Sequence, residues 1–127
     1  MKFIIDSSAW IEYLEGSLLG EKVRKILFEN NEIYVLNLMI AEVVSKVKRK
    51  KGDADTAYNS IISNSKIVEL TPKIAKEAGL LHAEIRKKIK NFGLVDAIIL
   101  SSARKLGAKI LTKDEHFRRF KESIFLD

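Results

Sequence analysis

Four acidic residues stand where the chain has no need of charge for solubility. Asp6 ends the apolar run from Phe3 to Ile5, and Glu42 interrupts an otherwise apolar segment from Leu36 to Val44. Asp96 sits among small and apolar residues in Gly93-Leu94-Val95-Asp96-Ala97-Ile98-Ile99, and Asp114 closes Leu111-Thr112-Lys113-Asp114, where Thr112 can add a hydroxyl. Each has an ordinary reading: an aspartate caps a helix well, and a helical glutamate can simply face water. Taken as a set they have a more specific one. Converging carboxylates repel one another and resist ionisation, whereas hard divalent ions such as Mg²⁺ or Mn²⁺ bind oxygen ligands and keep several waters. One or two such ions on Asp6, Glu42, Asp96 and Asp114 would activate water and stabilise the leaving oxygen in an attack on a phosphodiester.

That reading requires a fold that brings the four together, and the chain alternates accordingly. Residues 2–5 read as a strand, followed by a helix with Trp10, Ile11 and Leu14 at helical spacing and Ser7 or Ser8 as N-cap. A second helix is expected over about 20–30, a buried strand over 33–36, and helices over about 39–51 and 54–63. A third strand spans 66–70. Pro72 opens a long helix that runs through Ile85 and Ile89 and stops at residues 91–93. A further helix from about Val95 closes at Gly107, a fourth strand covers 108–111, and 124–126 form a weak fifth. The alternation implies an α/β fold in which a mostly parallel sheet of four or five strands is covered by helices on both faces, a three-layer sandwich. In such sheets ligands gather beyond the carboxyl ends of the strands, near the point where strand order reverses. Asp6 and Asp114 both follow strands there.

Bulk properties agree with one domain over residues 1–127 and exclude several classes. The 127 residues carry 46% apolar and 31% charged residues with one Pro, a composition for a compact chain. Without Cys there is neither a disulfide framework nor a thiolate metal site, and the cytoplasm is the expected compartment. No stretch approaches the roughly 18 apolar residues of a membrane span, and the first apolar run meets Asp6 too soon for a secretory signal. A net charge of +6 favours a polyanionic partner, although basic surfaces arise for other reasons. Lys46, Lys48, Arg49 and Lys50, and later Arg86, Lys87, Lys88 and Lys90, are the phosphate-contact candidates; helix C-termini attract cations equally well. His82 reads as an ordinary helix residue, and His116, two positions after Asp114, has no second His at zinc spacing. No Ser-His-acid set and no Gly-rich phosphate loop is evident, which disfavours Ser-nucleophile, NTPase and dinucleotide chemistry.

Asp6-Ser7-Ser8, Glu42, Asp96-Ala97-Ile98 and Leu111-Thr112-Lys113-Asp114-Glu115-His116-Phe117 occur in an order that resembles the PIN-domain ribonucleases, and among them the short toxins of VapBC toxin-antitoxin modules. The resemblance spans essentially the whole chain. It implies Asp6, Glu42, Asp96 and Asp114 as metal ligands or metal-organising acids, with Ser8 as an accessory polar group. It further implies Mg²⁺- or Mn²⁺-dependent cleavage of RNA, a small antitoxin as partner and a homodimer. Ser101-Ser102 stand where the family often has Ala, a departure that concerns packing. The rivals are a PIN-like nuclease of RNA processing, a nuclease acting on DNA, a receiver-like signalling domain, and a nucleic-acid-binding module that keeps the acids without activity.

Overall fold

The computed structural model describes residues 1–127. The elements run β1 (Lys2–Ile5), α1 (Ser7–Glu15), α2 (Leu18–Phe28), β2 (Glu32–Leu36), α3 (Asn37–Arg49), α4 (Ala54–Asn64), β3 (Lys66–Val68), α5 (Pro72–Arg86), α6 (Leu94–Leu106), β4 (Lys109–Thr112), a 3₁₀ turn (Glu115–Phe117) and β5 (Ser123–Phe125). The five strands lie in the order β3-β2-β1-β4-β5, and every pair is parallel. The chain thus steps outward from β1 to β2 and β3, then crosses back to place β4 on the other side of β1. Strand order reverses between β1 and β4. Right-handed crossovers put α1 to α4 on one face and α5 and α6 on the other, and the packing agrees: α1 contacts α2 and α3, α3 contacts α4, and α5 contacts α6.

The central strands β1, β2 and β4 are covered from both sides and are apolar beyond their first residues, whereas the edge strands β3 and β5 are partly exposed. Ile4, Ile5, Val35 and Ile110 are fully enclosed, with Trp10, Met39 and Val43 packed from α1 and α3 and Ile99, Leu100 and Ala103 from α6. Ser102 is buried among them and its hydroxyl has no hydrogen-bond partner, whereas Ser101 is only partly buried. No helix is long and apolar enough to cross a membrane.

The expected elements are all present, with shifted ends that have local causes. α1 begins at Ser7 with Asp6 as the N-cap residue, so neither Ser7 nor Ser8 caps it, and the Asp6 side chain makes no capping bond. α2 starts at Leu18 because Ser17 Oγ accepts from the Gly20 N–H at 3.0 Å. β3 stops at Val68, whose partner Leu36 runs directly into α3 and leaves nothing to pair with Leu70. α5 stops at Arg86, and the Lys88 and Ile89 N–H groups both bond to the Ile85 carbonyl in a closing turn.

α1 and α2 approach so closely that Gly20 is required where they cross. A Cβ there would lie 2.3 Å from the Glu12 carbonyl oxygen and 3.0 Å from Tyr13 Cα. Gly79, within α5, has open space around its Cβ position. Gly20→Ala is therefore expected to lower stability by about 1–3 kcal/mol through forced backbone displacement. Gly79→Ala should raise it by about 0.5–1 kcal/mol through helix propensity alone. Urea denaturation of the two variants beside the wild type checks both signs.

Candidate active site

The loop after β1 and the loop after β4 are neighbours because the two strands are paired, and the residues that leave them meet at once. Asp6 is almost fully buried at this edge, and its N–H donates to the Leu111 carbonyl at 2.9 Å. Its Oδ2 accepts from the Ser8 hydroxyl at 3.0 Å and from the fully buried Thr112 hydroxyl at 2.9 Å. Both hydroxyls are used twice. Ser8 Oγ accepts from the Lys113 N–H at 3.0 Å, and Thr112 Oγ1 accepts from the Asp114 N–H at 2.9 Å. The two strand ends are thereby fastened around one carboxylate. Lys113 adds a side-chain tie to α1 through Glu12 at 2.8 Å, and this bond, with a second from Ser17, holds the Glu12 carboxyl below the usual range.

Asp96 and Asp114 enter from the other side. Asp96 is in the first turn of α6, where its Oδ2 accepts from the Gly93 N–H at 3.1 Å. Asp114 caps the 3₁₀ turn through Oδ1, which accepts from the His116 N–H at 2.9 Å. Asp114 is thus an N-cap, as an ordinary reading has it, and Asp96 is the third helical residue bonding back to the Gly93 cap, but each bond uses one oxygen, and the second oxygen of each takes no protein donor. His116 completes the group: its Nδ1 lies 3.0 Å from Asp96 Oδ2 and 3.6 Å from Asp114 Oδ1. One ligating atom from each of Asp96, Asp114 and His116 falls within 4.8 Å of the others. His116 is the site residue that sequence reasoning set aside. Its signal is the strand-end Asp two positions earlier, since a cap at Asp114 turns the chain sharply and returns residue 116 to the same place.

Glu42 stands outside that group on α3, and the residue as a whole is exposed while it lines a surface recess. It nevertheless belongs to the same electrostatic neighbourhood. Its carboxyl is held above the usual range by partial desolvation in the recess that it lines, and then by the negative charges of Asp6, Asp96 and Asp114. Asp6 is likewise raised, chiefly by burial and also by Asp114, against the opposing hydrogen bonds from Thr112, Ser8 and the Ser7 N–H. Crowded acids with oxygens free of protein donors form a donor set that suits a hard divalent cation.

The basic cluster of α3 is divided. Glu42, Lys46 and Arg49 follow one another at helical spacing and line a surface recess with Ser7, Ala41 and Ser45. Lys50 continues the line of Val43 and Val47 instead and pairs with Glu15 at 2.8 Å on the wall of a separate groove. Lys48 lines neither and acts on the Asp53 carboxyl. His82 has a structural contact, with Nε2 3.0 Å from the Phe92 carbonyl.

A raised acid destabilises the fold once the unfolded chain has ionised. Below the ordinary aspartate range both states are protonated and Asp6 costs nothing; as pH rises, the unfolded state loses its proton first and the native state falls behind. In buffer containing a chelator, Asp6→Asn is therefore expected to be more stable than the wild type at pH 7, with the difference shrinking toward pH 3. Urea midpoints across that range provide the check.

The sequence profile of the PIN domain matches residues 3–123. Among curated proteins no sequence match is found. Solved structures match at low identity. A chain of VapBC2 from Rickettsia felis, bound to a promoter DNA fragment, aligns with a TM-score of 0.77 and 21% identity over 98% of this chain and 97% of that one. One of DNA-bound VapBC from Salmonella typhimurium gives 0.74 and 17% over 98% and 96%. Mycobacterium tuberculosis VapC20, described as a toxin that cleaves the sarcin-ricin loop, gives 0.67 and 18% over 85% and 86%. At these identities the neighbours speak for the fold, and the profile, which covers nearly the whole sequence, speaks for the family: the chain belongs to the PIN-domain family.

Proposed function

We propose that this protein is a divalent-metal-dependent endoribonuclease acting in the cytoplasm as the toxin of a toxin-antitoxin pair. The observation that carries the reading is the grouping of Asp96 and Asp114 with His116, ligating atoms within 4.8 Å of one another, at the strand-order reversal, where Thr112 ties Asp6 Oδ2 to the Asp114 N–H. Asp6, Asp96 and Asp114 would hold Mg²⁺ or Mn²⁺, with Glu42 at the rim. Such an ion, when bound, would supply water activation and charge stabilisation for attack on a phosphodiester. Ser8 and Thr112 keep the Asp6 carboxylate from turning and fix the distance between the two strand-end loops. Lys46 and Arg49, beside Glu42, receive the RNA backbone.

RNA as the substrate is supported by the neighbour described as cleaving the sarcin-ricin loop, and a small antitoxin partner by the neighbours that are VapBC complexes. A homodimer follows from the same family reading. Purified protein is expected to cut a structured RNA with Mg²⁺ or Mn²⁺ present, to lose cleavage in chelator, and to lose it in Asp96→Asn with an unchanged circular-dichroism spectrum. Cleavage that persists in chelator or in the folded Asp96→Asn variant contradicts the proposal. Preferential cutting of single-stranded DNA would move the reading to a DNA nuclease, and RNA binding without cleavage to an inactive binding module.

The division of the α3 cations yields a separate expectation. RNA affinity should fall steeply with salt, and Lys46→Ala with Arg49→Ala should reduce the log–log slope by about 1–2, close to one per phosphate contact removed. Lys48→Ala with Lys50→Ala should change it less. Filter binding at a series of salt concentrations, with Ca²⁺ or chelator present to prevent turnover, compares the two pairs.

A further inference from the structure

His116 ties together two acids that come from segments remote in sequence. Its backbone N–H holds Asp114 at 2.9 Å and its ring holds Asp96 at 3.0 Å. The ring is set from below by a fixed framework. Phe117, the next residue, is fully buried, and so is Phe92, which precedes the Gly93 that caps α6. Their rings meet edge to face with centroids 6.4 Å apart. The 3₁₀ turn that carries His116 and the helix start that carries Asp96 are therefore held against one another by an aromatic contact beneath the site. The Gly93 N–H and the imidazole converge on the same oxygen, Asp96 Oδ2, and leave Oδ1 without a protein donor.

We infer that His116 is a positioning residue for the proposed cation site: its Nδ1–H fixes the rotation of the Asp96 carboxylate and thereby sets the affinity of the site for the divalent ion. An ionised carboxylate only accepts, so the nitrogen facing it carries the proton and has no lone pair for a metal. The same nitrogen therefore does not serve as a ligand while this bond exists, although it lies within the group of ligating atoms. Outer hydrogen bonds of this kind alter metal affinity by roughly 10–100-fold when removed. The inference rests on the cation site proposed above and adds to it a residue that touches neither the ion nor the substrate.

The test is Mn²⁺ binding to the full chain, by calorimetry and by the electron paramagnetic resonance of the bound ion, with chelator-treated samples checked for folding by circular dichroism. Wild type should bind Mn²⁺ and show no coupling from a directly bound imidazole nitrogen. His116→Phe, which keeps a ring but has no donor, should bind about 10–100-fold more weakly; His116→Ala serves as a second donorless variant should the Phe ring not be accommodated. His116→Asn, whose amide nitrogen can replace Nδ1 as donor, should return affinity to within a few-fold of wild type. Equal affinity in a donorless variant, an Asn variant as weak as Phe, or an imidazole nitrogen signal from His116 in the wild type overturns the positioning role. Absence of Mn²⁺ binding by the wild type overturns the cation site itself, a different failure from one confined to the His116 variants.

Discussion

A buried carboxylate held by two hydroxyls between paired strand ends is the constraint around which the rest of this structure is arranged. Asp6 Oδ2 receives Ser8 and Thr112, and those same hydroxyls accept the backbone N–H groups of Lys113 and Asp114. Because β1 and β4 are hydrogen-bonded neighbours on either side of the strand-order reversal, the network is short and every member is paired. A satisfied network of this kind is rigid, and a missing member leaves a desolvated group behind. Thr112 is thus as much a part of this network as the acid that it touches. The price in native stability is the unfavourable ionisation of Asp6, which burial and Asp114 both oppose.

The other acids reach the same edge by separate routes, and none of them depends on a long loop. Asp96 belongs to the first turn of α6, Asp114 to the step from β4 into a 3₁₀ turn, and Glu42 to a face of α3 that also carries Lys46 and Arg49. Rigid elements therefore supply all four, which suits a site that must hold ligands at fixed separation. The electrostatic consequence is tension: burial first, and then the neighbouring acids, hold the Asp6 and Glu42 carboxyls above their usual range, a strain that a bound cation would relieve. Lys46 and Arg49 line the same surface recess as Glu42, so cations and an acid share that face of α3.

Much of this was legible in the sequence, for identifiable reasons. The period of the apolar residues changes from strand to helix at each boundary, and alternation with right-handed crossovers implies a parallel sheet covered on both faces, whereas the strand order comes from the structure alone. The placement of Asp6 and Asp114 at the ends of neighbouring strands was legible because each charge directly follows an apolar run. What escaped depends on helix phase and on turns. The cations from Lys46 to Lys50 look like one cluster in sequence, yet residues 42, 46 and 49 share one face while residues 43, 47 and 50 share another. His116 escaped because its nearness to Asp96 is created by the packing of Phe117 on Phe92, a contact between side chains distant in the chain. Glu42 looked enclosed because its sequence neighbours are apolar, but Met39 and Val43 take the buried face of α3 and leave Glu42 in the open.

The central claim is that these acids share a bound divalent ion, and the most direct measurement is a crystal structure of the protein grown with Mn²⁺, with data collected at a wavelength where manganese scatters anomalously. The account predicts an anomalous peak within coordination distance of oxygens from Asp6, Asp96 and Asp114, with the Ser8 and Thr112 hydroxyls still on Asp6 Oδ2. A map with no peak among these carboxylates at saturating Mn²⁺, or with the ion bound elsewhere and the acids unchanged, would contradict it.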